Sequence, residues 1–205
     1  RACGISLAGG DTTQGALSIS IHAMGWVPIG QAITRSGAQI GDAIVVSGSL
    51  GDSAAGLQIM QHHREASDEL SQRYWNPTPR IALGQWLRNK ATACLDISDG
   101  LVQDLGHMLA ASGCGADLQL QDLPLSAALK AYTSLSQARD YALNGGEDFE
   151  LCFTLPAQFM GAAQAYSQSH NLALNVIGHI GPELGCRIWQ EDGGLYTPPQ
   201  GYQHF

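Results

Sequence analysis

The sequence predicts an α/β or α+β fold with a mixed sheet and packed helices. From about residue 40 onward, β-branched or alternating apolar runs take turns with helical patterns, and this order of elements is typical of mixed sheets. Apolar residues make up 44% of the 205 residues and charged residues only 14%, so the chain can bury a substantial core. The 25 glycines predict many tight turns and backbone-lined loops.

Two strands are predicted near the start of the chain, at residues 5–8 and 17–24. The second has a period of two from Leu17 to Ala23, as in a half-buried antiparallel strand. A domain rarely begins on an inner strand, and the chain begins at Arg1. We therefore expect the N-terminal part of a longer protein to precede it.

The remaining elements alternate along the chain. Strands are predicted at residues 43–47, 91–95, 116–120, 149–155, 174–180 and 187–190. Helices are predicted at residues 53–62, after Pro79, from Leu101 to about Gly113, and at 126–132, 137–143 and 157–169. Asp52 is the expected N-cap of the first helix, and the polar stretch at residues 62–72 is expected to be surface.

Charge and cysteine usage exclude several classes of protein. The net charge is −8 and no run of Lys or Arg is present, which argues against a nucleic-acid binder. No apolar run reaches membrane-spanning length and no signal peptide is visible. The five cysteines are dispersed without a Cys-x-x-Cys pair, as expected for reduced thiols in a cytoplasmic protein. An acidic chain that handles phosphates would need divalent cations as intermediaries.

The pentapeptide DISDG at residues 96–100 is the strongest candidate site. Asp96 and Ser98 point to the same side of an extended segment, and Asp99 lies at the mouth of the predicted helix. Mg²⁺ prefers a few carboxylate ligands and keeps waters and phosphate oxygens in the rest of its shell. The loop therefore fits a metal–nucleotide site, while the alternative is that Ser98 or Asp99 only caps the helix.

Two other glycine-rich loops carry acids. Gly10 and Asp11 belong to GGDTT at residues 9–13, where a phosphate or metal could approach the backbone, although such a sequence is also an ordinary turn. GGEDFE at residues 145–150 places Glu147 and Phe149 on one side and the other two acids on the opposite side. One side would meet a cleft and the other solvent; the alternative is a solvated turn.

Two weaker features complete the candidates. The glycines at residues 48–56 precede a helix but lack the Lys-Ser/Thr ending of a phosphate-binding loop, which favours a structural turn with helix packing. Arg35 lies in a polar stretch between candidate phosphate loops and could bind a triphosphate, although most exposed arginines are only solvated.

Six motifs occur in the order and spacing of one enzyme family. They are GGDTT (9–13), TRSGA (34–38), GDSAAGL (51–57), DISDGL (96–101), GGEDFEL (145–151) and GYQHF (201–205). Together they resemble the thiamine-monophosphate kinases, which belong to the superfamily of aminoimidazole ribonucleotide synthetase and selenophosphate synthetase. The resemblance covers the whole chain and implies the C-terminal fold of that superfamily.

The resemblance also implies an activity. Members phosphorylate thiamine monophosphate to thiamine diphosphate with ATP and several Mg²⁺ ions, by direct in-line transfer without a protein nucleophile, and they are cytoplasmic homodimers. Carried over by position, Asp11, Asp96 and Asp99 correspond to Mg²⁺ ligands. ATP contacts are implied for Gly10, Asp11, Arg35 and Ser98, and substrate contacts for Glu147 and Tyr202. Direct transfer needs positioning and charge neutralisation, which carboxylate-bound Mg²⁺ supplies.

The resemblance further predicts the domain organisation. Residues 1–36 correspond to the end of an N-terminal ATP-binding domain and residues 37–205 to the complete C-terminal domain. The family carries more than a hundred further residues before the GGDTT motif, so we expect weak ATP binding and little turnover if this chain is the whole molecule. A related enzyme acting on another acceptor and a truncated non-catalytic module remain the alternatives.

Overall fold

The computed structural model describes residues 4–62 and 68–198. The chain divides into two compact units, residues 1–32 and residues 33–205. In the first unit, residues 4–32 contain no helix or strand, so the strands predicted at residues 5–8 and 17–24 are not formed. A strand needs a hydrogen-bonded neighbour, and residues 4–32 show no strand pairing. The side chains of Leu17 and Ile21 are 95% and 89% exposed.

The second unit is built on a mixed sheet, which confirms the predicted fold class. In the described part of the chain its seven strands follow the order β2-β4-β1-β5-β3-β6-β7. β3 and β6 are parallel, and the other neighbours are antiparallel. The strands are β1 (Ala43–Ser47), β2 (Ala93–Asp96), β3 (Gly115–Gln119), β4 (Leu151–Leu155), β5 (Leu174–Gly181), β6 (Gly185–Trp189) and β7 (Leu195–Tyr196).

Helices pack on both faces of this sheet. They are α1 (Asp52–Gln61), α2 (Asp68–Trp75), α3 (Ile81–Leu87), α4 (Leu101–Ser112), α5 (Ala127–Tyr132), α6 (Leu135–Asn144) and α7 (Met160–His170). Short 3₁₀ turns lie at Leu120–Asp122 and Ala157–Phe159. None of the helices in the part of the chain described is long and apolar enough to cross a bilayer.

The side chains of β1 alternate between the two main hydrophobic cores. Ile44 and Val46 face a core that includes α4 and α6, whereas Ala43 and Val45 face a core that includes α3 and α7. All five residues of β1 are buried, because a central strand with helices on both faces has no solvated side.

Two local predictions around α1 differ from the structure. In the polar stretch at residues 62–72, expected to be surface, His62, Glu69 and Gln72 are exposed, but Leu70 and Ser71 are buried in α2. Helix α2 packs closely on α1, as shown by Gly56, where a Cβ would lie 2.3 Å from the Leu70 carbonyl oxygen. The N-cap of α1 is Gly51 in a left-handed conformation rather than Asp52. The Asp52 carboxylate instead accepts hydrogen bonds from Ser49 and Ser126.

Candidate functional site

The DISDG and GGEDFE loops lie side by side. β2 and β4 pair antiparallel up to Asp96 and Leu151, and the pairing continues into the loops beyond. The Ile97 N–H donates to the Glu150 carbonyl oxygen at 2.8 Å, and the Phe149 and Glu147 N–H groups donate to the Ile97 and Ser98 carbonyl oxygens at 2.9 and 2.8 Å. Two motifs about 50 residues apart in sequence thus form one continuous surface.

The backbone of the second loop is unusual. Glu147 and Phe149 have φ angles of 68° and 49°, a region that residues other than glycine rarely occupy and that is concentrated at functional sites. A side chain at Gly146 would lie 2.3 Å from the Ser98 carbonyl oxygen. The loops can therefore approach this closely only with glycine at position 146.

A cleft of about 530 Å³ opens where the two loops meet. Ser98 and Asp99 line it from the first loop and Glu147 from the second. The rest of the wall comes from α1, α2 and α6 and combines apolar, aromatic and amide side chains; among its members are Ala54, Leu57, Gln58, Tyr74, Tyr141 and Asn144. A cleft of this size and mixed lining suits a small-molecule ligand.

The two acids on the other side of the GGEDFE loop are buried, whereas the sequence predicted that one side of the loop would meet a cleft and the other solvent. Asp148 is 1% exposed and accepts hydrogen bonds from the Gly51 and Ser53 N–H groups at 2.7 and 3.2 Å. Burial raises the pKa of Asp148 to about 7, although the two N–H groups act in the opposite direction. Asp148 therefore binds the free N–H groups at the start of α1.

Glu150 is the second buried acid of that loop. Its carboxylate accepts hydrogen bonds from Ser47 Oγ at 2.6 Å, from Arg73 Nη2 at 2.8 Å, and from Arg80 Nε and Nη2 at 2.7 and 2.5 Å. This network joins β1 and α2 to the strand that follows Glu147. The alternation of side chains predicted that these acids share a face, but no local signal showed that the face is buried.

A third buried acid, Asp104, lies behind the DISDG loop. It is 6% exposed and accepts hydrogen bonds from the backbone of Ser98 and Asp99. The sequence did contain a signal for it, because Asp104 falls within the apolar stripe of α4 beside Leu101 and Leu105. An acid in a buried stripe requires buried hydrogen-bond donors.

The remaining predicted site residues fall in three other parts of the chain. Gly10 and Asp11 are exposed and belong to the first unit, where Asp11 Oδ1 accepts a hydrogen bond from the Thr12 N–H at 2.8 Å. Arg35 is exposed and follows Thr34, whose carbonyl oxygen accepts from the Cys94 N–H of β2. Tyr202 lies outside the described residues.

The donor chemistry at the first loop is compatible with a magnesium ion. Asp96 is exposed at the end of β2, and Asp99 is half-buried at the cleft. Residues 4–62 and 68–198 contain no cluster of three or more metal-binding side chains. Mg²⁺ retains several water or phosphate ligands, so two carboxylates fit the protein's share of such a shell.

Comparison with known proteins points to one family. Residues 39–189 match the family described as AIR synthase related protein, C-terminal domain. The chain is 44% identical to the thiamine-monophosphate kinase of Salmonella typhimurium over 98% of this chain, and 45% identical to that of Haemophilus influenzae over 88% of it. The chain spans 64% and 56% of the lengths of these two relatives.

Solved structures agree with this similarity. A thiamine-monophosphate kinase from Stenotrophomonas maltophilia is 41% identical with a TM-score of 0.77, covering 82% of this chain and 55% of that one. The protein described as AaThiL complexed with AMPPCP and TMP is 36% identical with a TM-score of 0.71, covering 84% of this chain and 54% of that one.

Proposed function

Because the chain belongs to the family described as AIR synthase related protein, C-terminal domain, and resembles several thiamine-monophosphate kinases, we propose that it forms part of the site of such a kinase. In this proposal ATP donates its γ-phosphoryl group to thiamine monophosphate, giving ADP and thiamine diphosphate. The proposal includes a cytoplasmic location and a homodimer, as the family resemblance implies.

The observation that carries the proposal is the shared cleft. Ser98 and Asp99 line it from one loop and Glu147 from the other. A phosphoryl-transfer site needs groups that bind the nucleotide phosphates next to groups that bind the acceptor. AaThiL, a similar protein, is described in complex with AMPPCP and TMP, which supports two ligands of this kind.

Each candidate residue has a separate role in the proposal. Ser98 contacts ATP, and Asp96 and Asp99 hold Mg²⁺. Glu147 faces the acceptor, where its carboxylate complements the positive charge of the thiamine ring system. Gly10, Asp11, Arg35 and Tyr202 retain their predicted roles as ATP, metal and substrate contacts.

The protein's own contribution is to bind and orient the substrates. Magnesium, when bound, would neutralise phosphate charge. The apolar wall at Leu57 and Tyr74 would exclude water from the acceptor side of the cleft, and the hydrogen bond from Glu147 N–H to the Ser98 carbonyl oxygen keeps the two binding loops in fixed register. No protein nucleophile is required, because the transfer is direct.

An acceptor assay tests the activity. The chain would be assayed alone and fused to the part of the Salmonella typhimurium relative that it does not match, with ADP formation followed for thiamine monophosphate, aminoimidazole ribonucleotide precursors and no acceptor. We expect ADP formation that depends on thiamine monophosphate in the fusion. A folded fusion that forms ADP only with another acceptor would overturn the proposed substrate, and a folded fusion inactive with every acceptor would overturn the kinase.

The change Asp96→Asn tests the metal role. Loss of one carboxylate should weaken Mg–ATP binding by about tenfold or more, because Mg²⁺ depends on few charged ligands. Titration calorimetry of the fusion with Mg–ATP measures this, and His107→Gln on the exposed face of α4 serves as the control. Unchanged affinity for Asp96→Asn would contradict the metal role of this carboxylate.

A further inference from the structure

Asp104 makes its hydrogen bonds outside its own helix. It lies in the first turn of α4, and its Oδ2 accepts from the Ser98 N–H and the Asp99 N–H, both at 2.9 Å. These are the two residues of the DISDG loop that line the cleft. A single carboxylate oxygen that binds two consecutive N–H groups restricts the backbone of both residues.

Burying the Asp104 carboxylate costs desolvation energy, which a residue that only stabilises a helix would not need to spend. An acid in a first turn already interacts favourably with the helix dipole from an exposed position. Asp104 is instead buried in the stripe formed with Leu101, Leu105 and Met108, where burial raises the pKa of its carboxyl group. Its burial is compensated by hydrogen bonds to the loop, so the loop is what this carboxylate organises.

The constraint extends to the second loop. The Ser98 N–H donates to Asp104, while the Ser98 carbonyl oxygen accepts from the Glu147 N–H at 2.8 Å. Ser98 is therefore fixed on both sides of its Cα. A change at Asp104 can reach Glu147 through this one residue.

We propose that Asp104 is a positioning residue, which holds the backbone of Ser98 and Asp99 so that their side chains are presented together at the cleft. The ligand chemistry in this inference, a divalent cation with nucleotide phosphates, rests on the proposed function. Asp104 itself touches neither ligand. Asp104 restricts the loop backbone before the ligands bind, so less conformational entropy is lost when they bind.

Amide hydrogen exchange of the ¹⁵N-labelled 205-residue chain tests whether Asp104 restrains the backbone of Ser98 and Asp99. Asp104→Ala should accelerate exchange of the Ser98 and Asp99 amides by about tenfold or more relative to Val45 in the central strand, because two hydrogen bonds to a charged acceptor are lost. Asp104→Asn keeps an acceptor oxygen without the charge and should give a smaller acceleration. The Asn variant carries the test if the Ala variant does not fold.

Asp42→Ala is the matched control. Asp42 is 4% exposed, and its Oδ2 also accepts two hydrogen bonds, from the Gln39 N–H at 3.0 Å and from Thr92 Oγ1 at 2.6 Å. Its loss should leave exchange at Ser98 unchanged relative to Val45. Equal acceleration at Ser98 and Val45 in the Asp104 variants, or no acceleration at all, would overturn the proposal.

A Mn²⁺ titration of the same samples tests whether this backbone restraint affects the binding of a divalent cation. Mn²⁺ should broaden amide signals near Asp96 and Asp99 in the wild-type chain. The Asp104→Ala variant should need about fivefold or more Mn²⁺ for the same broadening, which the Asp42 variant should not. Equal broadening in wild type and Asp104→Ala would overturn the positioning role alone. Absence of broadening in the wild type as well would overturn both that role and the metal site of the proposed function.

Discussion

Removing the Glu150 carboxylate should destabilise the protein strongly. Its oxygens accept four hydrogen bonds, one from Ser47, one from Arg73 and two from Arg80, at 2.5 to 2.8 Å. Glu150 is 1% exposed, and the side chains of Arg73 and Arg80 are 19% and 16% exposed. The change Glu150→Ala would therefore leave two largely buried guanidinium groups without their main acceptor.

The expected loss follows from this geometry. Truncating one partner of a buried ion pair costs about 3–5 kcal/mol, since the remaining charge stays buried. The Asp52 carboxylate, 3.9 Å from Arg73 Nε, can compensate only one of the two arginines, so we expect a value near the middle of that range. Glu150→Gln, which keeps one acceptor oxygen, should lose about half as much.

Urea unfolding followed by tryptophan fluorescence measures the effect. With a urea dependence of about 2 kcal/mol per molar, a loss of about 4 kcal/mol lowers the midpoint by about 2 M. Asp117→Ala is the matched control, because Asp117 also makes a two-point ion pair, with Arg187, but both side chains are about one-third exposed. Its loss should be clearly smaller. Equal losses for Glu150→Ala and Asp117→Ala would refute the reasoning from burial.

Two further predictions concern the same loop. The pKa of Asp148 is about 7 in the folded state, and its ordinary value is 3.8. Between these pH values the folded state therefore binds more protons than the unfolded state. Because of this group, the free energy of unfolding should fall by about 3 kcal/mol from pH 5 to pH 8. Asp148→Asn should remove this decrease, which urea unfolding at pH 5 and pH 8 measures. An unchanged decrease in the variant would contradict the raised pKa. Gly146→Ala, which places a methyl group 2.3 Å from the Ser98 carbonyl oxygen, should cost about 1–3 kcal/mol. Gly161→Ala lies in helix α7, where the added methyl group would meet no atom within 4 Å outside its own helix backbone and chain neighbours. It should instead stabilise by about 0.5–1 kcal/mol, and equal melting temperatures of the two variants would contradict the clash.

Much of the local structure could be predicted because it depends on neighbouring residues. The stripe at Leu101, Leu105 and Met108 predicted α4, and Gly113 ends it in a left-handed conformation as expected. The β-branched run of β1 predicted a buried strand, which the structure has at Ala43–Ser47. Helix α2 was missed because the surrounding stretch is mostly polar, and its one fully buried leucine, Leu70, has its partners on other helices.

The amino-acid sequence by itself determined which loops could carry chemistry. Glycines beside acids in DISDG and GGEDFE indicate close backbone approach and hard oxygen donors, and both properties belong to the residues themselves. The same local information left open whether the acids at 148 and 150 face solvent. It also predicted a strand at residues 17–24 that residues 4–32 do not form.

Only the tertiary structure decided how these loops combine. The antiparallel pairing of β2 with β4 brings Ser98 and Glu147 into hydrogen-bonding distance, and the packing of α1 and α2 closes the cleft around them. The tertiary structure also buries Asp104, Asp148 and Glu150, which become internal hydrogen-bond acceptors. The physical reason is that strand partners and burial depend on contacts between residues far apart in the chain, whereas turn geometry and side-chain periodicity depend only on adjacent ones.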